Sequence, residues 1–580
     1  MNAKLSVITG SFLLLSAPMQ GFSATTHPDS CINRDWKKEI PLPVYPNREM
    51  VDLYHKTWEI AAGRVRKGPE GLPASPYMDE NCYEDQIWIW DTCFMVLFAK
   101  YAPRSFPGVE SLDNLYKPIH EKAVTPLKVH LVDNPPLFAW VEKEYFDFTG
   151  DKERLDDILN KKQYLQKHFK WFAQAKSGER FACSPQHIYL NSIGNDGFTW
   201  TGGASGMDNT PRGRDAGGYR KVLWVDAISQ QALSARCIAD MEQALGNADE
   251  AGKWNAEYEA LKNKINHLYW DKKDGFYYDV TILDKQPCRV KTIASYWPLL
   301  AQVASREQAQ SMVRHLMNPE EFGGSYPTPS LARSDKDYHH QTGDYWRGGI
   351  WLPTTYMTIK AIEKYGYHEE ADAIAERVIS QQLAAYRNIE PHTIWECYSP
   401  SGNTPSTEHG RRARPEFCGW SALGPISLFI ENVLGFKEVS ATRKEVRWRL
   451  KKNKGRHGIR NLRFGDIVTD IVFDGKGTVS VKSNASYSLI INDNTYSVRK
   501  GILKLNCKSL LFIRGRALLM FFRGFFPFAG TGCGASSRAC VNFSSFGGGP
   551  RGREGKENSG KPTKSGLGTL TWEVMLSALF

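Results

Sequence analysis

Between residues 48 and 436 apolar side chains recur every three to four positions, in blocks separated by Gly, Pro and polar runs. That spacing puts one apolar stripe on each helix. It predicts twelve helices, over 49–65, 84–101, 111–131, 137–149, 153–175, 222–246, 249–269, 289–303, 305–317, 347–365, 367–386 and 418–434. Three connectors share one design: Gly150-Asp151 before Lys152-Glu153, Gly246-Asn247 before Asp249-Glu250, and Gly366-Tyr367 before Glu369-Glu370. Glycine accepts the left-handed turn that ends a helix, and carboxylates favour the positive end of the next. Helical hairpins stacked in sequence and closed on themselves form an (α/α)6 barrel. A two-domain all-α arrangement is the alternative. Long polar and aromatic loops over 178–221, 320–346 and 389–417 interrupt the helices. Loops of this length in a compact domain carry function.

After Phe436 the period changes. Residues 462–505 alternate β-branched and polar positions, with turns at Asp474-Gly475, Asn492-Asp493 and Lys500-Gly501. This predicts a small antiparallel β-domain. The expected organisation is a barrel over 45–436, a β-domain over 437–507, and a Gly-rich basic tail over 508–580. The tail has no periodicity and reads as poorly ordered or non-native. At the other end, Lys4 precedes an apolar run over 5–17, and small residues lead to Ala24. That is the layout of an export signal cleaved near Ala24, which predicts a periplasmic or secreted protein. No other stretch reads as long and apolar enough to span a membrane in the mature chain.

Charge narrows the function classes. The chain of 580 residues carries a formal net charge of +11. From Lys437 onward there are 26 basic and 9 acidic residues, which leaves the first 436 residues at −6. A nucleic-acid-binding protein carries its basic charge where its contacts are, so that class is set aside. The 11 Cys are scattered without a CxxC pair, which argues against a structural zinc site and suits buried apolar packing. There is no P-loop and no HExxH, and His339-His340 lacks further ligands at metal spacing, so no metal or cofactor is expected.

The candidate chemistry lies in the long loops. Ser205-Gly206-Met207-Asp208-Asn209-Thr210-Pro211 puts a carboxyl among residues able to desolvate it, as a general acid near neutral pH requires. An Asx-type turn is the bland reading. Trp395-Glu396-Cys397-Tyr398 offers a carboxylate beside aromatics that suits a general base; a helix-end carboxylate paired to an Arg is its bland reading. Asp344-Tyr345-Trp346-Arg347-Gly348-Gly349-Ile350-Trp351 combines aromatic faces with a fixed guanidinium. Trp88-Ile89-Trp90-Asp91 opens a helix, and Pro135-Pro136-Leu137-Phe138-Ala139-Trp140 opens another. Glu416-Phe417-Cys418-Gly419-Trp420 precedes the last barrel helix, with Glu416 a second candidate for acid/base or sugar-binding work.

In this order the motifs resemble the clan of α/α-barrel glycosidases that includes trehalases and glycoside hydrolase family 63. The resemblance runs from about Tyr77 to Phe436, and the compact form is most similar to bacterial mannosylglycerate hydrolase-type members. It implies that Asp208 is the general acid and Glu396 the base of an inverting hydrolase. It places Trp90, Asp91, Trp346, Arg347, Trp351 and Trp420 at the sugar; Trp140, in the Pro-Pro helix opening, and Glu416, before the last helix, join them as candidate sugar contacts. The trehalase pattern of Gln-Trp-Asp with Pro-Asn-Gly-Trp is absent, so the sugar is left open between glucose, mannose and others. Two other classes remain on the same toroid. A polysaccharide lyase would use Tyr345, His339 or His340 as base. A non-catalytic glycan-binding protein would bind without turnover.

Overall fold

The computed structural model describes residues 31–67, 76–83 and 85–506. The export signal and the tail beyond Asn506 lie outside the described residues. Twelve barrel helices appear where the periodicity placed them: α1 (Arg48–Ala62), α2 (Ile89–Ala99), α3 (Gly108–Tyr116), α4 (Phe138–Thr149), α5 (Tyr164–Gln174), α6 (Val225–Leu245), α7 (Ala248–Leu268), α8 (Trp297–Leu300), α9 (Arg306–Met317), α10 (Leu352–Glu363), α11 (His368–Asn388) and α12, which starts at Cys418–Ser421 and continues as a wider-wound Leu423–Val433. The even-numbered helices pack in a closed ring, each against the next, and the odd-numbered helices wrap outside.

Composition decides which ring a helix joins. Every residue of α2 is buried, so it needs protein on all sides and belongs inside. In α7 only Ala251, Trp254, Tyr258, Leu261 and Ile265 are buried, a single stripe at helical spacing, so one face meets the inner ring and the other meets water. Gly150, Gly246 and Gly366 take the left-handed conformation expected at the connectors.

Several boundaries differ from the sequence reading, among them that of 111–131, whose helix stops at Glu121 before the strand Lys128–Val129. The helix expected over 153–175 breaks before α5, where Gln163 takes φ +54°. The start of 84–101 is extended, because Gln86–Ile87 pairs with Lys128–Val129. The expected 289–303 helix shortens to 293–300, because Pro287–Cys288 pairs with Asp279–Val280. In each case a tertiary pairing or turn overrides local periodicity.

The β-domain is a sandwich of two sheets. One orders β1 (Leu42–Val44), β4 (His457–Phe464), β5 (Ile467–Phe473), β6 (Thr478–Ser483) and β9 (Gly501–Asn506). The other orders β2 (Phe436–Ser440), β3 (Glu445–Trp448), β7 (Tyr487–Ile491) and β8 (Asn494–Val498). Strand β5 alternates buried and half-buried positions along its whole length, as a strand with one core-facing side must. All pairings are antiparallel except β3–β7. These two run parallel because the chain crosses through the other sheet between them. Strand β1 precedes the barrel, so the sandwich takes one edge strand from the far end of the fold.

The sandwich is clamped to the end of the barrel where α10 stops and α11 starts. Lys437 reaches Glu363 and Asp372 at 2.5 and 2.6 Å, and Arg449 reaches Asp372 at 2.7 Å. The inner helices all begin at the opposite rim, and the three long loops feed into them there. No helix among the described residues is long and apolar enough to cross a membrane. The eight described cysteines are all unpaired, and five of them are buried.

Candidate active site

The loop carrying Asp208 is built by a one-turn helix, Gly202–Ser205, whose start is capped by the Thr201 hydroxyl. Gly206 ends that turn at φ +81°, and a Cβ there would sit 3.0 Å from the Trp90 ring. A Cβ on Gly202 would lie 2.0 Å from the Asp208 carbonyl oxygen. Both positions therefore need glycine for Asp208 to stand where it does. Below the loop, buried Arg212 holds Asp226 and Asp279 in two paired contacts of 2.5–2.9 Å, with its guanidinium 4.0 Å over the Trp224 ring.

Asp208 is exposed, and no described residue hydrogen-bonds its carboxyl. Its pKa is nonetheless pushed up to about 7, first by desolvation, then by Glu396 and Glu408, against Arg414. An accessible carboxyl so strongly desolvated lies in a concavity rather than on a convex surface.

Glu396 is buried. Its Oε1 accepts from the Tyr345 hydroxyl at 2.8 Å and from Arg414 Nη1 at 2.9 Å, and its Oε2 accepts from the Arg414 backbone N–H at 3.3 Å. The Trp420 indole N–H donates to its backbone carbonyl at 2.8 Å. The acid and base loops are joined through Asp344-Tyr345-Trp346. Asn209, beside Asp208, donates to the Asp344 carbonyl at 2.9 Å and accepts from the Trp346 N–H at 2.8 Å. Asp344 and Tyr345 both take positive φ, +30° and +67°. Two successive non-glycine residues in that region mark a backbone held by its surroundings. The Trp351 indole and the Gly349 N–H both donate to the Tyr345 carbonyl, at 3.1 and 3.0 Å, and supply part of that hold.

Asp91 and Glu80 complete the carboxyl cluster. Asp91 is buried and its carboxyl is raised well above the usual range by burial, then by Glu396. Glu80 is fully buried, both its oxygens lack a hydrogen-bond partner, and its carboxyl is raised by burial, then by Asp79 and Asp91. Desolvated carboxyls that outnumber the nearby Arg414 and Arg64 favour retained protons on Glu80, Asp91 and Asp208.

The aromatic residues singled out in the sequence form a buried cluster beside the Glu396 and Asp344–Trp346 segments. Trp346 and Trp351 stack at 3.9 Å, and Trp90 meets Trp346 and Trp420 edge-on at 6.2 Å. Trp346 and Trp351 are both fully buried, and Trp140 packs edge-on against Phe94 and Trp297. Arg347 is partly exposed beside Asp337 and Asp344, at 3.9 and 3.8 Å. Glu416 is held by Arg64 at 3.1 Å and is not among the charges that act on Asp208. Tyr345, a candidate lyase base, is occupied as a donor to Glu396.

Glu80, Asn209, Glu408 and Arg414 were not assigned roles by sequence reasoning. Asn209 stood inside the motif that exposed Asp208. The other three carry no local signal, since their importance comes from partners far along the chain.

A family model for the mannosylglycerate hydrolase MGH1-like glycoside hydrolase domain matches residues 119–414, a span that contains both Asp208 and Glu396. An uncharacterized protein of Borreliella burgdorferi is 26% identical over 437 residues, covering 71% of this chain and 85% of its own length. The mannosyl-oligosaccharide glucosidase of Saccharomyces cerevisiae is 26% identical over 298 residues, which cover 47% of this chain and 34% of the yeast protein. Among solved structures a sialidase superposes with a TM-score of 0.63 at 15% identity, over 82% of this chain and 42% of that one, a likeness of fold alone. With a family match across half its length and a six-hairpin barrel around two facing carboxyl loops, this chain belongs to the mannosylglycerate hydrolase MGH1-like glycoside hydrolases.

Proposed function

We propose that the chain is an exported, inverting exo-glycosidase that removes α-linked gluco- or manno-configured sugars from an oligosaccharide or glycoside. The observation that carries the proposal is the pairing of unlike carboxyls. Asp208 is accessible, free of hydrogen bonds from described residues and poised near pH 7, while Glu396 is buried and paired with Arg414. The desolvated carboxyl suits the acid role, and the one fixed by a guanidinium and a tyrosine hydroxyl suits the base role.

In the proposed cycle Asp208 gives its proton to the glycosidic oxygen as that bond breaks. Glu396 takes a proton from water, which attacks the anomeric carbon from the opposite face. An inverting enzyme keeps its carboxyls about 6.5–9.5 Å apart so that this water fits between them. The tryptophan cluster offers apolar surface to a sugar's C–H face, and Asp91 and Arg347 offer polar partners to its hydroxyls. Glu416 is the weaker candidate for base, because Arg64 holds it outside the group of charges felt by Asp208.

The test separates the two carboxyls by leaving group. Asp208→Ala cripples ordinary glycosides but spares a glycosyl fluoride, whose leaving group needs no proton. Glu396→Ala loses about 10²–10⁴-fold on both. NMR of the first product anomer formed by the wild type reads the stereochemistry. If Glu416→Ala shows the leaving-group-independent collapse and Glu396→Ala does not, the base is misassigned. Retention at the anomeric carbon refutes the inverting mechanism. Export is checked by N-terminal sequencing of the mature protein, with a start near Thr25 expected.

A further inference from the structure

Large hydrophobic side chains exposed among the described residues are few: Leu42, Tyr83, Val124, Leu283 and Ile502. Four are isolated aliphatics of the kind any soluble surface carries. Tyr83, 52% exposed, differs in two respects: it is aromatic, and its ring lies on a second aromatic that meets a third. The Tyr83 and Trp88 rings stack at 6.0 Å with planes 29° apart, and Trp88 meets His130 at 4.7 Å. Burial lowers His130 to about 4, so the imidazole backing the stack is neutral.

Chain connections tie this stack to the segments that carry Arg414 and Trp90. Asn81, two residues before Tyr83, donates through Nδ2 to the carbonyls of Pro415 and Glu416 at 3.0 and 3.4 Å, directly after Arg414. Cys82 lies between them and senses the charges of Arg414, Glu80, Glu396 and Asp91. On the other side, the Thr92 N–H and hydroxyl both donate to the Trp88 carbonyl, at 3.1 and 2.7 Å. That fixes Trp88 at the start of α2, two residues before Trp90. The Tyr83 ring is thus backed by Trp88, about half exposed, and two residues from the Asn81 tether to Pro415 beside Arg414. Its backing costs no ordering on binding, which is how rigid aromatics serve recognition.

We propose that Tyr83, backed by Trp88 and His130, is an outer sugar-binding platform that stacks on a pyranose ring on the leaving-group side of the substrate. The inference rests on the glycosidase reading and narrows its substrate class to an oligosaccharide or glycan arm rather than a small-solute glycoside. A short aglycone held at the catalytic carboxyls would leave the platform empty.

The experiment measures kcat/KM for malto- and α-manno-oligosaccharides, from disaccharide to pentasaccharide, with the wild type, Tyr83→Ala and Tyr83→Phe. We expect the wild type to gain with chain length. Tyr83→Ala should lose about tenfold on the longest active substrate, and stay within about twofold on the disaccharide. Tyr83→Phe, which keeps the ring, should retain the gain. A length dependence unchanged in Tyr83→Ala, or an equal loss on the disaccharide, overturns the platform. Quenching of tryptophan fluorescence by the same oligosaccharides gives a reading independent of turnover. A wild type that hydrolyses none of these sugars but shows quenching lost in Tyr83→Ala would refute the proposed activity on them and keep the platform. Quenching that is absent, or indifferent to Tyr83→Ala, would remove the platform whatever the activity.

Discussion

Glu408 is the residue whose substitution tests the electrostatics of the site most sharply, because it acts on Asp208 without holding a catalytic role. It sits on a hairpin pairing Thr407–Glu408 with Arg411–Arg412, turned at His409 and Gly410 with φ +48° and +78°. The hairpin is anchored to the Asp344 loop by the Thr342 and Thr407 hydroxyls at 2.6 Å and by the His409 N–H on Asp344 Oδ1 at 3.1 Å. Burial and then Glu396 raise the Glu408 carboxyl, and Glu408 in turn raises Asp208. The perturbation is Glu408→Gln, which removes the charge and keeps the shape. Asp208 moves from 3.8 to about 7, with desolvation the largest cause and Glu408 the smaller of the two carboxylate contributions. Its share is therefore a minor part of that shift. The sign follows directly. A neighbouring negative charge favours the protonated acid, so removing it lets the proton leave at lower pH, and the alkaline limb of kcat/KM moves down. For an acid near 7, each downward shift of about half a unit cuts activity about threefold near pH 8 and leaves it unchanged near pH 5. The assay is a kcat/KM–pH profile on an ordinary glycoside for both proteins. A glycosyl fluoride serves as control, because its rate does not depend on the acid. An alkaline limb that stays in place or moves upward would refute the reasoning, as would an equal change on the fluoride.

Tyr345→Phe and Asn209→Ala should be strongly non-additive in kcat although the two side chains do not touch, because both act through the Asp344–Trp346 segment; an additive double-mutant cycle would show that this segment does not couple acid to base. Arg212→Met should cost about 3–5 kcal/mol in urea unfolding, since it leaves Asp226 and Asp279 buried without their partner. Gly206→Ala should cost about 1 kcal/mol or more in stability and lower kcat on ordinary glycosides more than on a fluoride, because it strains the turn and pushes Asp208 away from Trp90. Trp420→Phe keeps the ring stack but removes the donor to the Glu396 carbonyl; it should lower kcat with little change in KM, and a selective rise in KM would instead assign Trp420 to sugar contact.

Local chemistry carried the helices. The wholly apolar run of α2 and the single stripe of α7 each dictate a burial environment, and an inner ring inside an outer ring satisfies both. The Asp208 motif was legible for a similar reason. Gly202, Gly206 and Asn209 serve a turn only a few residues long, so their constraints are written beside the residue they position. What the sequence alone left open is what depends on distant partners. Arg414 meets Glu396 across 18 positions, but Glu408 becomes part of the pocket only when its hairpin docks on Thr342 and Asp344. Glu80 becomes a desolvated, unpartnered carboxyl only because the last barrel helix returns to cover it; a Cβ on Gly419 would lie 2.8 Å from the Glu80 Cβ. The recruitment of Leu42–Val44 as a sheet edge likewise follows from ring closure, which brings the two ends of the barrel chain together. Periodicity reports the environment a segment needs. Proton affinity is set by which charges share a low-dielectric pocket, and only the closed barrel decides that.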